Sequence, residues 1–301
     1  MEPPCAGLGP KAFLAVLQSL IDSIMRGSGS TGRGATLRGP IEDWALSLIA
    51  ADPAVSEIGG TANYSFDNCL NFARKTVPRF DERIRGKKVL DYGCGFGWQA
   101  VAMAKQSGAA QVLGLDIVPT HLEAGGALAS QQGYADRVTF SSFVPDHFVP
   151  EVVVSLSAFE HFADPATDLR RMADLLPAGG NIILSFAEPW YSPNGSHING
   201  FTRFPFSGVA FPWLNLFFSE RALLKLRSRY RSDRATRYGE ISGGLNQMTL
   251  AKFERIVGES GLLVEELRYY AVKGLPGVTR IPVVRELLTA AVSCVLRVPQ
   301  I

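Results

Sequence analysis

The chain has 301 residues, 47% hydrophobic and 19% charged, which is enough to bury a full core as one α/β domain with additions or as two small domains. Basic side chains number 30 against 28 acidic, a formal net charge of +2, and no long Lys/Arg tract appears, so nothing points to a nucleic-acid partner. Four cysteines, Cys5, Cys69, Cys94 and Cys294, show no paired spacing, which excludes a zinc motif or disulfide framework and fits a reducing, cytoplasmic compartment.

In chain order, residues 11–26 have the spacing of an amphipathic helix, with Phe13, Leu14, Leu17, Leu20, Ile21 and Ile24 three or four apart. Glu2 and two early prolines, with Asp22 close behind, do not make a secretory signal. Residues 27–39 are rich in Gly, Ser, Thr and Arg and read as a linker. A helix is expected over 41–50, a turn-rich stretch over 59–66 and a further helix over 67–77. From there the pattern alternates. Strands are expected at 87–91, 111–116, 137–142, 152–157 and 181–187, and helices at 97–106, 119–132 and 164–176. Residues 189–247 leave the repeat, with aromatics and prolines crowded between Phe204 and Phe218. The uncharged run Phe204 to Ser219 is too short, and too broken by proline, to cross a bilayer as a helix. Pattern returns with a helix at 249–260, a strand at 262–272, a helix at 282–291 and a short strand at 293–298.

Strands that alternate with helices make a mostly parallel sheet covered on both faces. Right-handed crossovers bring every strand's C-terminal end to one edge, where ligands bind. Asp91, Asp116, Ser142, Glu160, His161 and Glu188 all fall at or just past strand ends, so the topology gathers them. The stretch Val89-Leu-Asp-Tyr-Gly-Cys-Gly-Phe-Gly97 is strand, tight turn and helix start, where a nucleotide-type cofactor can approach the backbone. Asp116 ends the next strand and can accept hydrogen bonds from both ribose hydroxyls. Asp91 beside the glycines would repel a pyrophosphate but favours a sulfonium and an ammonium. The combination selects S-adenosylmethionine over NAD, with Asp91, Gly93, Cys94, Gly95, Gly97, Asp116, Ile117, Ser142 and Glu160 as the cofactor set. Cys94 serves there through its small size.

These motifs resemble the class I S-adenosylmethionine-dependent methyltransferases, in the small-molecule branch that includes ubiquinone-biosynthesis O-methyltransferases. The glycine turn carries the resemblance, with Ser155-Leu-Ser-Ala-Phe-Glu-His161, Asp164-Pro165, Leu175-Leu-Pro-Ala-Gly-Gly180 and Ile182-Ile-Leu-Ser185. It is good over about 86–190 and looser elsewhere. It implies a Rossmann-like sheet whose last two strands pair antiparallel. It also implies leading helices that cover cofactor and substrate, which makes Tyr64 and Phe66 either ligand contacts or packing residues. The family's acid after the third strand is replaced here by Phe140-Ser-Ser-Phe-Val-Pro-Asp146, so Asp146 or Ser142 takes that place. The organisation implied is a helical extension or lid over 1–85, a cofactor-binding core over 86–188, an insertion or substrate lid over 189–248 and completion of the sheet over 249–301.

Methyl transfer to oxygen needs alignment and a base. Of the histidines, His161 and His197 are the candidates; His161 is either a base or a pocket-shaping residue, as is His197, and His121 and His147 are surface positions. Trp190, Tyr191, Trp213 and Asn246, with Tyr64, are the acceptor-lining set. The aromatic insertion is a local mini-core, a hydrophobic lid over an apolar or aromatic acceptor, or a membrane-surface element; the first two together are preferred. Arg221 to Arg237, with seven basic residues (Arg221, Lys225, Arg227, Arg229, Arg231, Arg234 and Arg237), is the solvated face of a helix and its loop, or a site for an anionic group or lipid headgroup. The expected activity is O-methylation of a small hydroxyl-bearing molecule, with N- or C-methylation and non-catalytic binding of S-adenosylmethionine as alternatives. No metal is expected, and no pattern encodes an oligomeric state.

Overall fold

The computed structural model describes residues 40–51, 66–203, 210–241, 243–272 and 277–300. The expected helix over 11–26, the linker over 27–39, Tyr64 and the start of the aromatic run at Phe204 lie outside these residues. The chain divides into two units, one drawn from 1–59 and 193–242, the other from 60–192 and 243–301.

The larger unit is built on seven strands, β1 (Lys88–Tyr92), β2 (Gln111–Leu115), β3 (Val138–Ser141), β4 (Val152–Leu156), β5 (Asn181–Ala187), β6 (Leu263–Ala271) and β7 (Thr289–Arg297). Their order is β3-β2-β1-β4-β5-β7-β6. The first five are parallel, and β7 runs antiparallel to both β5 and β6. The central strands are apolar at successive positions because both faces are covered. Val89, Val152, Val154, Ile183 and Val295 enter one buried cluster, and Leu90, Val153, Ile182, Leu184 and Val292 the other. The last strand is longer than its expected span of 293–298. It lies between two partners: Thr289 pairs with Ala271 of β6, Ala291 and Val292 pair on both sides, and the preceding helix stops at Leu288.

The helices start and stop where local chemistry says they should. Taking the chain in order, α1 is Pro40–Ile49, α2 Asn71–Thr76, α3 Phe80–Ile84, α4 Trp98–Gln106, α5 Pro119–Gln132, α6 Pro165–Asp174, α7 Leu214–Phe217, α8 Glu220–Arg227, α9 Leu250–Glu259 and α10 Pro282–Leu288. Pro165 opens α6, and the Asp164 carboxylate accepts the Thr167 amide at 3.2 Å. Thr249 caps α9 in the same way. Gly133, at φ 75°, closes α5. The expected helix over 67–77 is interrupted: a 3-10 turn covers Phe66–Asn68 before α2 begins. Pro78 holds Val77 extended and ends α2, and α3 restarts from Arg79 at φ 53°. Sequence periodicity does not reveal that restart.

In the smaller unit, α1 lies against α8. The Glu42 carboxylate accepts the Ser219 amide, and Asp43 meets Lys225 at 2.5 Å. The Ala50–Thr202 bridge and the stacked rings of Phe201 and Tyr230, 4.6 Å apart, close the unit. Phe211, Leu214 and Phe218 from the aromatic run are buried within it. Arg227 belongs to α8 but faces inward, 8% exposed, and its guanidinium binds Asp233.

Candidate functional site

Three neighbouring strands end in left-handed backbone: Gly93 at φ 81° after β1, Ser157 at φ 53° after β4 and Glu188 at φ 60° after β5. Two of these are not glycine, and such conformations persist only where the surroundings impose them. The Ser157 amide donates to Ser185 O at 2.7 Å and the Glu188 amide to Ala290 O at 2.8 Å. The chain is thus turned sharply at the C-terminal edge of β1, β4 and β5, and the residues that follow are displayed there.

The glycine turn is built by its backbone. Gly93 and Cys94 donate to Leu115 O, at 2.9 and 3.0 Å, and Gly97 donates to Cys94 O at 3.0 Å. Gly95 donates to Asp116 Oδ2 at 2.9 Å, and Val118 donates to Asp116 Oδ1 at 2.9 Å. Four turn amides are therefore spent on protein acceptors and are not arranged to cradle a phosphate. Asp116 is fixed by two amides yet keeps further lone pairs on both oxygens for a diol. The three glycines do different jobs. A Cβ at Gly97 would sit 2.5 Å from the Phe140 ring and 2.8 Å from Gly125 Cα, so this glycine seats Phe140 against α5. A Cβ at Gly93 would meet Ala158 at 2.8 Å. At Gly95, φ 50°, a Cβ would meet nothing within 4 Å. Of the three glycines, this is the one whose Cβ would meet no atom of the described residues.

Asp91 is 1% exposed, and neither carboxylate oxygen has a hydrogen-bond partner among the described residues. Burial, with the charge of Asp116 second, pushes its pKa up to about 7. A buried carboxyl without donors costs free energy unless a cation or donor comes to it. Together with the occupied turn amides, this fits a ligand that brings a cation and a diol but no phosphate. When bound, S-adenosylmethionine supplies an electrophilic methyl group. Asp91 would face its cationic part and Asp116 its ribose. Burial and both acids push the Cys94 thiol up, so it stays a small neutral filler. Ile117 is 90% exposed beside Asp116, and Ser142 and Asp146 are exposed beyond β3. Two residues absent from the expected set join this rim: Phe96 and Phe143 are large, apolar and exposed after β1 and β3. Their exposure is a tertiary property, and no sequence pattern marks them.

After β4, a 3-10 turn, Phe159–His161, carries the next two candidates. Glu160 is 3% exposed, and its Oε2 has no hydrogen-bond partner among the described residues. Burial, then the nearby Glu188 charge, raises its pKa to about 8, while backbone amides act in the opposite sense. His161 Nδ1 lies 2.5 Å from Gly244 O. Burial lowers its pKa, so the ring is neutral around pH 7. Asn246 holds this turn in place: its Nδ2 donates to Phe159 O and Phe162 O at 2.9 Å each, and its own amide donates to Glu160 O. Trp190 follows β5, anchored by its amide on Met248 O at 2.7 Å, and Tyr191 beside it is 37% exposed. His161, Asn246, Trp190 and Tyr191 thus belong to the same unit as the cofactor set. His197 and Trp213 belong to the other unit. Both are left-handed, at φ 55° and 53°, with their amides on Asn194 O and Pro193 O. No group of three or more His, Cys, Asp or Glu among the described residues has the arrangement of a metal site.

Ubiquinone biosynthesis O-methyltransferases of Leptothrix cholodnii and Vibrio parahaemolyticus are similar to part of this chain. The first is 34% identical over 122 residues, 38% of this chain and 49% of the relative; the second is 37% identical over 106 residues, 33% and 43%. The chain spans about half the length of the curated relatives it matches. A solved structure, a putative S-adenosylmethionine-dependent methyltransferase from Listeria monocytogenes, shares the fold at a TM-score of 0.50 and 17% identity, over 78% of this chain and 100% of that one. The profile of the methyltransferase domain matches residues 66–266, well over half of the sequence. The strand order, the spent turn amides, the orphaned Asp91 and this match agree: the chain belongs to the methyltransferase-domain family, in the class I S-adenosylmethionine-dependent fold.

Proposed function

We propose that this protein transfers a methyl group from S-adenosylmethionine to a small apolar or aromatic acceptor bearing a hydroxyl, with His161 as the proton acceptor. The observation that carries the proposal is the contact of His161 Nδ1 with Gly244 O. A carbonyl oxygen only accepts, so Nδ1 holds the hydrogen on the bond to Gly244 O, and the lone pair of the neutral ring lies on Nε2. A neutral imidazole at the strand edge suits removal of a hydroxyl proton during transfer. The names of the curated relatives, O-methyltransferases, support an oxygen acceptor. Phe96, Ile117 and Phe143 form the apolar rim for the adenine, and Trp190 and Tyr191 offer surface to an apolar acceptor.

The test is His161→Asn. Asn Nδ2 takes the place of Nδ1 and keeps the bond to Gly244 O, while the Nε2 lone pair is gone. Turnover on a hydroxylated aromatic acceptor should fall about 100-fold or more, with the Kd for S-adenosylhomocysteine unchanged. Unchanged turnover would remove His161 as base, and His197→Asn is then the parallel experiment. Glu160 favours a second reading. A buried carboxyl beside Glu188, one of whose oxygens has no hydrogen-bond partner among the described residues, would attract an ammonium, and the acceptor would be an amine. A matched series of phenols and amines, followed by mass spectrometry of the products, separates the two.

A further inference from the structure

Helix α1 buries one face, and its other face carries exposed apolar side chains. Glu42, Leu46 and Ile49 are 5%, 3% and 3% exposed, whereas Ile41, Trp44 and Leu48 are 61%, 49% and 40% exposed. Positions 41, 44 and 48 follow helical spacing and form one ridge. The flank of α1 at Asp43 belongs to α8, where Lys225 Nζ lies 2.5 Å from Asp43. Helix α8 turns Ala222, Leu223, Leu224 and Leu226 inward and leaves Arg221 and Lys225 in solvent, with Arg229 exposed just beyond. Lys225 first, then Arg221 and Arg229, holds the Asp43 carboxyl below its usual range, so three cations gather around one acid. The result is an apolar ridge containing a tryptophan, set beside a ridge of positive charge.

We propose that the Ile41–Trp44–Leu48 ridge and the Arg221–Lys225–Arg229 flank form a docking surface for an anionic lipid bilayer. Tryptophan and aliphatic side chains enter the interfacial region, where indole keeps its polar edge wet, and the guanidinium and ammonium groups meet anionic headgroups. Charge complementarity selects this occupant. Size does too: a specific protein partner needs roughly 800 Å² per side, and three side chains on a ten-residue helix do not offer that. A bilayer needs no matching shape. Neither helix spans the membrane; no helix among the described residues is long and apolar enough to do so.

The test is vesicle flotation of the full chain, with phosphatidylcholine alone and with phosphatidylcholine mixed with phosphatidylglycerol. Binding should require the anionic lipid and weaken as salt is raised. Trp44→Ser and the pair Arg221→Gln/Arg229→Gln should each weaken binding about tenfold. Lys225 is left in place because it holds Asp43. Trp44→Phe should retain binding but lose the blue shift that vesicles induce in tryptophan emission. Thermal melts and S-adenosylhomocysteine affinity, both expected to match the unaltered protein, show that the fold is intact. Equal recovery with neutral and anionic vesicles, or binding indifferent to both variants, overturns the proposal. So does a dimer that Trp44→Ser dissociates without any flotation, which would assign the ridge to a second copy.

Discussion

If Asp91 faces the cation of the cofactor, it couples proton release to cofactor binding. With its pKa raised to about 7, it is largely protonated at pH 6, and a cation placed against it favours the ionised form. Calorimetry at pH 6 in buffers of different ionisation enthalpy should therefore show release of up to about one proton per S-adenosylmethionine bound, and affinity should weaken below pH 7. Asp91→Asn should abolish the release and weaken binding; a buffer-independent heat in the unaltered protein would contradict the placement. The glycines make a second residue-scale prediction. Gly97→Ala drives a methyl into Phe140 and Gly125 at φ 76° and should cost about 3 kcal/mol of stability. Gly95→Ala meets nothing within 4 Å among the described residues, so it should cost about 1 kcal/mol yet lose cofactor affinity, because its methyl projects over the turn. Melting and cofactor titration on the two variants should give opposite rankings. The sequence marks both as turn glycines; the difference between them comes from Phe140, a neighbour distant in the chain.

Elements, rather than single residues, place His161. Its turn hangs from β4 and is stapled by Asn246, which lies outside every regular element of the fold. Asn246, expected from sequence to line the acceptor site, has its Nδ2 on two carbonyls of the turn and its Oδ1 without a hydrogen-bond partner among the described residues. Asn246→Ala should cost about 2 kcal/mol, since two carbonyls lose their donor. It should also lower kcat more than cofactor affinity as His161 loses its anchorage. Equal losses in both would mean that the turn serves the cofactor instead. The alternation of strands and helices was legible because β1 to β5 are apolar over successive positions and because α5 and α6 open on prolines. The Asn246 staple was not, because a single asparagine carries no periodicity and its partners lie more than eighty residues away.

For the whole molecule, two buried carboxyls set the response to pH. The usual values of Asp91 and Glu160 are 3.8 and 4.5, and in the folded protein they are raised to about 7 and about 8. The folded state thus binds more protons than the unfolded chain across those windows, and stability falls as pH rises through them. His161 acts in the opposite sense, its lowered pKa costing stability as pH falls through its usual 6.5. Both carboxyls titrate between pH 6.5 and 8, so the cofactor-free protein should melt at lower temperature at pH 8 than at pH 6.5. Glu160→Gln should flatten that slope, and a melting temperature that rises over this range would refute the assignment. The sequence by itself determined the parallel sheet, the glycine turn, Asp116 and the cofactor class, because each depends on local periodicity or on residues a short loop apart. Tertiary structure decided which glycine leaves room for a Cβ among the described residues, which oxygens stay unpartnered there, which ring nitrogen of His161 holds the hydrogen and which face of α1 carries exposed apolar side chains. Those properties arise when surfaces from distant segments exclude water together, and no local pattern records that.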